Sequence, residues 1–133
     1  LKIVAENEKV QAEGIEEIGL FKVLKGEEDG LRGANVRNLN LDIDTISATA
    51  VKYVGALAGR IEGGDIENIQ ILGDDESIIN GFNATGGLTG KISGRYDKEN
   101  NPRVYTIVTN IKSSVSVKSF CRLTKFSFAF NSG

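Results

Sequence analysis

Short apolar alternations separated by polar turns run through the middle of this chain, and they recur in register. Val54-Gly-Ala-Leu-Ala-Gly-Arg-Ile61 aligns with Thr85-Gly-Gly-Leu-Thr-Gly-Lys-Ile92, so that Gly55, Leu57, Gly59 and Ile61 return 31 residues later as Gly86, Leu88, Gly90 and Ile92. Basic Arg60 returns as Lys91, and Ile18-Gly-Leu-Phe-Lys-Val-Leu24 reads as a worn earlier copy. A second element follows each copy: Val36-Arg-Asn-Leu-Asn-Leu41, then Ile66-Glu-Asn-Ile-Gln-Ile71 at a spacing of 30, then Val108-Thr-Asn-Ile-Lys-Ser113 at 42. The longer last spacing fits an insertion in the polar stretch Arg95 to Arg103, which holds the sole proline, Pro102, and reads as a surface loop. Self-similarity at such a period signals stacked supersecondary units and outranks residue-level assignments.

The alternation assigns faces. Arg60 and Lys91 point to solvent, which turns Leu57, Ile61, Leu88 and Ile92 inward. The same logic puts Leu39, Leu41, Ile43, Ile69, Ile71, Ile111, Val115 and Val117 inside, and Asn40, Asp42, Asp44, Gln70 and Lys112 outside. A period near 31 holds three short strands plus turns. Each unit has one apolar face and no partner of its own, so stacking buries those faces while the backbone pairs between coils. Gly55, Gly59, Gly86 and Gly90 permit tight corners or positive φ. Asn38, Asn68 and Asn110 share one corner, where they could form a ladder or adopt the left-handed conformation. The expected fold is therefore all-β: a parallel β-helix (solenoid) fragment with about three glycine-rich coils. The competing reading is an antiparallel sandwich with coincidental glycines.

Texture divides the chain into a Glu-rich N-terminal lead-in or cap (1–17), β-solenoid repeats (18–117), and a C-terminal capping strand or non-native tail (118–133). Phe126, Phe128 and Phe130 alternate in the segment Phe120 to Phe130, and that face is expected to pack against the last repeat near Val115 and Val117. The first residues carry neither a charged n-region nor an apolar core, so no signal peptide is visible, and with no Met anywhere the chain reads as an excised or processed fragment of something longer.

Composition removes several function classes. The chain has no histidine, which excludes His-based triads and the His ligands of most catalytic zinc sites. Cys121 is alone and reads as a small hydrophobe. Net charge is −2 with both signs interspersed, so no basic stripe tracks a nucleic-acid backbone. No run of 18 apolar residues is present, which argues against membrane insertion.

Val54-Gly-Ala-Leu-Ala-Gly and Gly86-Gly-Leu-Thr-Gly resemble GLUG repeats, whose core is Gly-Leu-any-Gly. The wider layout, Gly-Leu-Phe, then Ala34-Asn-Val-Arg-Asn-Leu-Asn-Leu, Tyr53-Val-Gly-Ala-Leu-Ala-Gly and Asp65-Ile-Glu-Asn-Ile, is similar to the N-terminal region of bacterial IgA1-specific zinc metallopeptidases. The resemblance covers about Ile18 to Val117 and stops after Lys118. It implies a right-handed β-helix in an exported bacterial protein, secreted or at the cell surface. It carries over no catalytic residue, because that family's zinc motif lies in a separate domain and needs histidine.

Weaker signals each have a plainer explanation. Gly86 to Ile92 departs from a phosphate loop at Thr85 and Ile92. Asp74-Asp75-Glu76 lacks the spaced ligands of a calcium loop and reads as a solvated turn. Asp42 and Asp44 share an outward face, Asn83-Ala84-Thr85 is a sequon, and Tyr53, Tyr96 and Tyr105 are candidate sugar platforms. No catalytic, cofactor-binding or metal residue is assigned. Two classes stay open. One is a non-catalytic stalk or binding module of a larger protein, meeting a host protein or glycan surface and the neighbouring domains of its parent chain. The other is a fragment of a carbohydrate-active β-helix enzyme, using Asp42 and Asp44 with Asp74 and Asp75.

Overall fold

The computed structural model describes residues 1–26, 33–96, 99 and 102–120. The chain is all-β with parallel sheets, and the described residues hold a single short helix. A first pass contains β1 (Lys2–Val4), α1 (Asn7–Glu13), β2 (Glu17–Ile18), β3 (Phe21–Lys25) and β4 (Ala34–Asp42). A second contains β5 (Thr45–Ala48), β6 (Tyr53–Val54), β7 (Ala58–Glu62) and β8 (Gly64–Leu72). A third contains β9 (Ile78–Gly81), β10 (Ala84–Thr85), β11 (Thr89–Ser93), the pair β12 (Arg95–Tyr96) and β13 (Pro102–Val104), and β14 (Thr106–Ser113). Then β15 (Ser116–Ser119) starts another. Four parallel sheets result, with orders β1-β5-β9-β15, β10-β6-β2, β11-β7-β3 and β14-β8-β4, beside the two-stranded β12-β13. Each pass therefore visits the same four sheets in the same order. The sequence pattern foresaw three strands per period; the fourth element, β6 and β10, is only two residues long and leaves no alternation to read.

The glycine-rich repeats pair in parallel, with Ala58 beside Thr89 and Ile61 beside Ile92, which rules out the antiparallel sandwich. The worn first copy joins them through Ile18 beside Val54 and Leu24 beside Ile61. Antiparallel pairing among the described residues is confined to β12 and β13, which fill the expected insertion between β11 and β14.

Stacked registers give apolar columns. One runs Leu24, Ile61, Ile92; another runs Val36, Ile66, Val108; a third runs Leu39, Ile69, Ile111; a fourth runs Ile3, Ile46, Ile79, Val117. Middle members are sealed: Ile46, Ile61, Ile66, Ile69 and Ile79 are fully buried, as is Leu57 in the turn before β7. Burying such a side chain stabilises the fold by about 1.5–3 kcal/mol each. The inward assignment of Ile92 and Val117 needs correction in degree. They occupy inward columns yet stay 48% and 42% exposed, because the third pass and β15 form the last layer and no described strand lies beyond them.

The corner asparagines satisfy both expectations at once. Asn38, Asn68 and Asn110 all have φ of 55°, and they form a ladder: Asn68 Nδ2 donates to Asn38 Oδ1 at 2.7 Å, and Asn110 Nδ2 to Asn68 Oδ1 at 3.0 Å. The left-handed residue bends the strand, so Ile66 and Ile69 are both buried although strict alternation would put them on opposite faces. The repeat glycines work otherwise. Positive φ falls at Gly14, Gly63 and Gly64, whereas Gly55 and Gly90 serve close approach: a Cβ on Gly55 would sit 2.3 Å from Thr89 Cα, and one on Gly90 2.7 Å from Val54 N. Segment 1–17 supplies β1, which pairs with β5, and α1, which ends at left-handed Gly14 and buries Val10.

Candidate functional site

Insertions concentrate at one corner of the fold, between the third and fourth sheets. Lys25, Glu62 and Ser93 are stacked, and so are Ala34, Gly64 and Thr106. The second pass crosses this gap through Gly63 alone, the first spends residues 26–33 on it, and the third spends 94–105. Gly63 and Gly64, with φ of 85° and 142°, make the tight crossing, and a Cβ on Gly64 would lie 2.2 Å from Ala34 O. Thr106 clasps the corner: its hydroxyl donates to Ser93 O at 2.6 Å and accepts from Gly63 N at 2.7 Å. Arg95 Nη1 donates to Gly26 O, tying the two longer crossings together.

A groove of about 550 Å³ opens there, bordered by Gly33, Asn35, Asp65, Val104 and Tyr105. Tyr105 is 71% exposed. Arg37 organises the polar wall: its Nε donates to Asn35 Oδ1 at 2.9 Å and lies 3.6 Å from Glu67 Oε2, and its Nη2 is 3.9 Å from Asp65 Oδ2. Above Asp65 in the same column stands Ile107, itself exposed. An aromatic ring, an aliphatic side chain and oriented amide and carboxylate groups thus share one open surface. Such a surface can pack against an apolar face and hydrogen-bond hydroxyls at once.

The carboxylates of the alternative enzyme reading also share a groove. Asp42, Asp44 and Asp74 border an open depression of about 410 Å³ with Leu1 and Ser77, whereas Asp75 is not on its lining. Asp74 is already engaged. Its Oδ1 accepts from Glu76 N at 2.9 Å and from Ser77 Oγ at 3.2 Å, while buried Ser77 donates to Ile43 O at 2.7 Å. The Glu76 backbone N–H, with the Ser77 hydroxyl, holds the Asp74 carboxyl below the ordinary value of 3.8. A general acid needs its proton held on, so the shift runs the wrong way for that role. Among the described residues no three His, Cys, Asp or Glu side chains gather as a metal-binding group.

The other singled-out residues separate. Tyr53 lies on β6 with Lys52 Nζ, Lys91 Nζ and Arg60 Cζ at 5.2, 5.7 and 5.8 Å from its ring centre. Arg60 is held by Glu17 at 2.8 Å and Glu62 at 2.7 Å. Tyr96 is on β12, away in sequence and sheet from Tyr53. In the sequon Asn83 is exposed, while Thr85 Oγ1 is buried with no partner. Gly86 is committed to the backbone, since a Cβ there would meet Thr89 O at 2.2 Å. Cys121 and the Phe126, Phe128 and Phe130 face lie outside the described residues, as does the rest of the tail beyond Phe120. Sequence reading missed Asn35 and Asp65 as partners of Tyr105 in this groove, because stacking, not sequence spacing, joins them.

No protein-family model, curated protein or solved structure matches the chain.

Proposed function

We propose that the chain is part of a right-handed parallel β-solenoid that serves as a non-catalytic stalk or binding module of a larger bacterial protein, secreted or at the cell surface. The observation that carries this reading is the fixed visiting order of four parallel sheets, with glycine repeats and asparagine corners stacked pass on pass. Its likeness to GLUG repeats supports an exported parent of the IgA1-specific metallopeptidase kind. Chemistry concentrates on the exterior, and the insertion corner with Tyr105, Asn35 and Asp65 is the face that would meet a glycan or host protein.

The test is retention of the chain on immobilised mucin-type and pectin-type glycans, with reducing ends measured in parallel. Retention without new reducing ends is expected, and Tyr105→Ala should weaken it. The second reading, a carbohydrate-active enzyme, draws on the shared groove of Asp42, Asp44 and Asp74. Glycan cleavage lost in Asp42→Asn or Asp44→Asn would overturn the binding-module reading in its favour.

A further inference from the structure

We propose a second binding site, for the sulfate or carboxylate groups of an acidic glycan, formed around Tyr53 by its ring and by Lys52 and Lys91. It is independent of the insertion corner: Tyr53 is on β6 and Lys91 on β11, whereas Tyr105 stands between β13 and β14. Lys52 Nζ, Lys91 Nζ and Arg60 Cζ lie 5.2, 5.7 and 5.8 Å from the centre of the Tyr53 ring. Three of the four cation–ring contacts among the described residues thus fall on one ring, where a chain of this length holds about two in all. The backbone fixes the arrangement, because Lys52 O accepts from Ala84 N at 2.8 Å and ties the second pass to the third.

The three cations play different parts. Arg60 is satisfied inside the protein: its Nε and Nη2 reach Glu17 Oε1 at 2.8 Å, and its Nη1 reaches Glu62 Oε1 at 2.7 Å. A planar fork holds two carboxylates at once, which an ammonium does not match. Both nearby carboxylates are therefore taken, and among the described residues neither Lys52 nor Lys91 has an ion-pair partner. Lys91 also stands directly beside Arg60 in the parallel register. Like charges so placed oppose pairing, and a bound anion relieves that repulsion. Both lysines are exposed, and the half-buried Tyr53 keeps its hydroxyl unused among the described residues. The site thus offers donors only, which suits a ligand group that only accepts, such as a sulfate ester or a carboxylate. Each exposed ion pair contributes only about 1.5- to 5-fold in affinity. A polymer that carries several anions multiplies such gains, and its sugar rings add an apolar face to set against an aromatic one, whereas a lone ion does neither.

Calorimetric titration of the full chain with dextran sulfate oligomers tests the site, with neutral dextran as the blank. Dextran sulfate should bind, dextran should not, and the affinity should fall as salt rises. Lys52→Ala and Lys91→Ala should each weaken binding about 1.5- to 5-fold. Lys112→Ala, at an exposed lysine on β14, should leave it unchanged, and so should Tyr105→Ala. Lys91→Glu should abolish binding yet melt no lower than the wild type, because it replaces a like-charge pair beside Arg60 with an opposite one. That combination separates a lost site from a lost fold. The chain has no Trp, so its tyrosine emission should respond to the ligand, and Tyr53→Phe should remove that response. Failure to bind dextran sulfate overturns the proposal. So does a loss in Lys112→Ala as large as in the Tyr53 lysines, or an oligothymidylate of equal charge bound as tightly, since either reports diffuse charge attraction. Inorganic sulfate that binds as well as the oligomers would overturn the glycan assignment in favour of a free ion.

Discussion

Asn68 holds a backbone conformation that side chains other than glycine and asparagine adopt at a cost, and its amide bonds to neighbours on both sides. Asn68→Ala should therefore destabilise the fold by about 1–3 kcal/mol in denaturant melts. Asn68→Gly should recover part of that loss, since glycine relieves the dihedral strain while still lacking the amide. Glycine no better than alanine would assign the whole effect to the ladder. Asp74 gives a pH signature. Its carboxyl is lowered in the fold, so its contribution is present above the ordinary value of 3.8 and is lost as pH falls through the lowered one. The wild type should exceed Asp74→Ala in melting temperature near neutrality, with the gap closing in acid. A gap independent of pH would mean that the turn does not depend on the charge. Position and type were legible for these residues, because Asn at a fixed offset in two repeats has few other uses. The Asp74 turn was read as solvated and is exposed, but its bonds to Glu76 and Ser77 follow from local geometry that sequence does not print.

At the scale of elements, sequence reading did best where a residue pattern repeats and worst where a strand is short. Thr89–Ser93 and Ala58–Glu62 were paired from their shared Gly-any-Leu-any-Gly spacing, whereas β6, β10 and helix α1 had too few residues to carry a period. The site was harder still. Tyr105 was singled out with Tyr53 and Tyr96, whereas its neighbours in the groove, Asn35 and Asp65, come from two earlier passes. The β12–β13 pair carries a further expectation. It enters between β11 and β14 without disturbing Ile92 beside Ile61 or Ile111 beside Ile69. Replacing residues 95–104 with a Gly-Gly link, the solution used by Gly63 and Gly64, should leave the circular-dichroism spectrum β-rich and the transition cooperative. Loss of the cooperative transition would show that buried Val104 and the Arg95 bond to Gly26 are needed to hold the corner.

Across the whole molecule burial is graded from the middle outwards. Leu57 is fully buried, while its counterpart Leu88, one pass on, is only half-buried. Leu57→Ala should cost about 2–5 kcal/mol, as cavity-forming core changes do. Leu88→Ala should cost clearly less, because part of its surface already meets solvent. Urea titrations giving equal losses would place the core differently from the burial described above.

Hydrogen bonds between passes point along the direction in which passes are added. A pull applied to the two ends of the chain along that direction would load those bonds lengthwise, a few at a time, instead of shearing many together. The least covered layer, the third pass with Ile92 and β15 with Val117, would peel first, and the sealed middle pass would yield later. A turn of about 31 residues, set by the spacing of Gly55 and Gly86, releases roughly 110 Å of extended chain as it comes away. If the chain serves as the stalk proposed above, this geometry would act as a series of extensible links, lengthening in steps while the remaining passes stay folded.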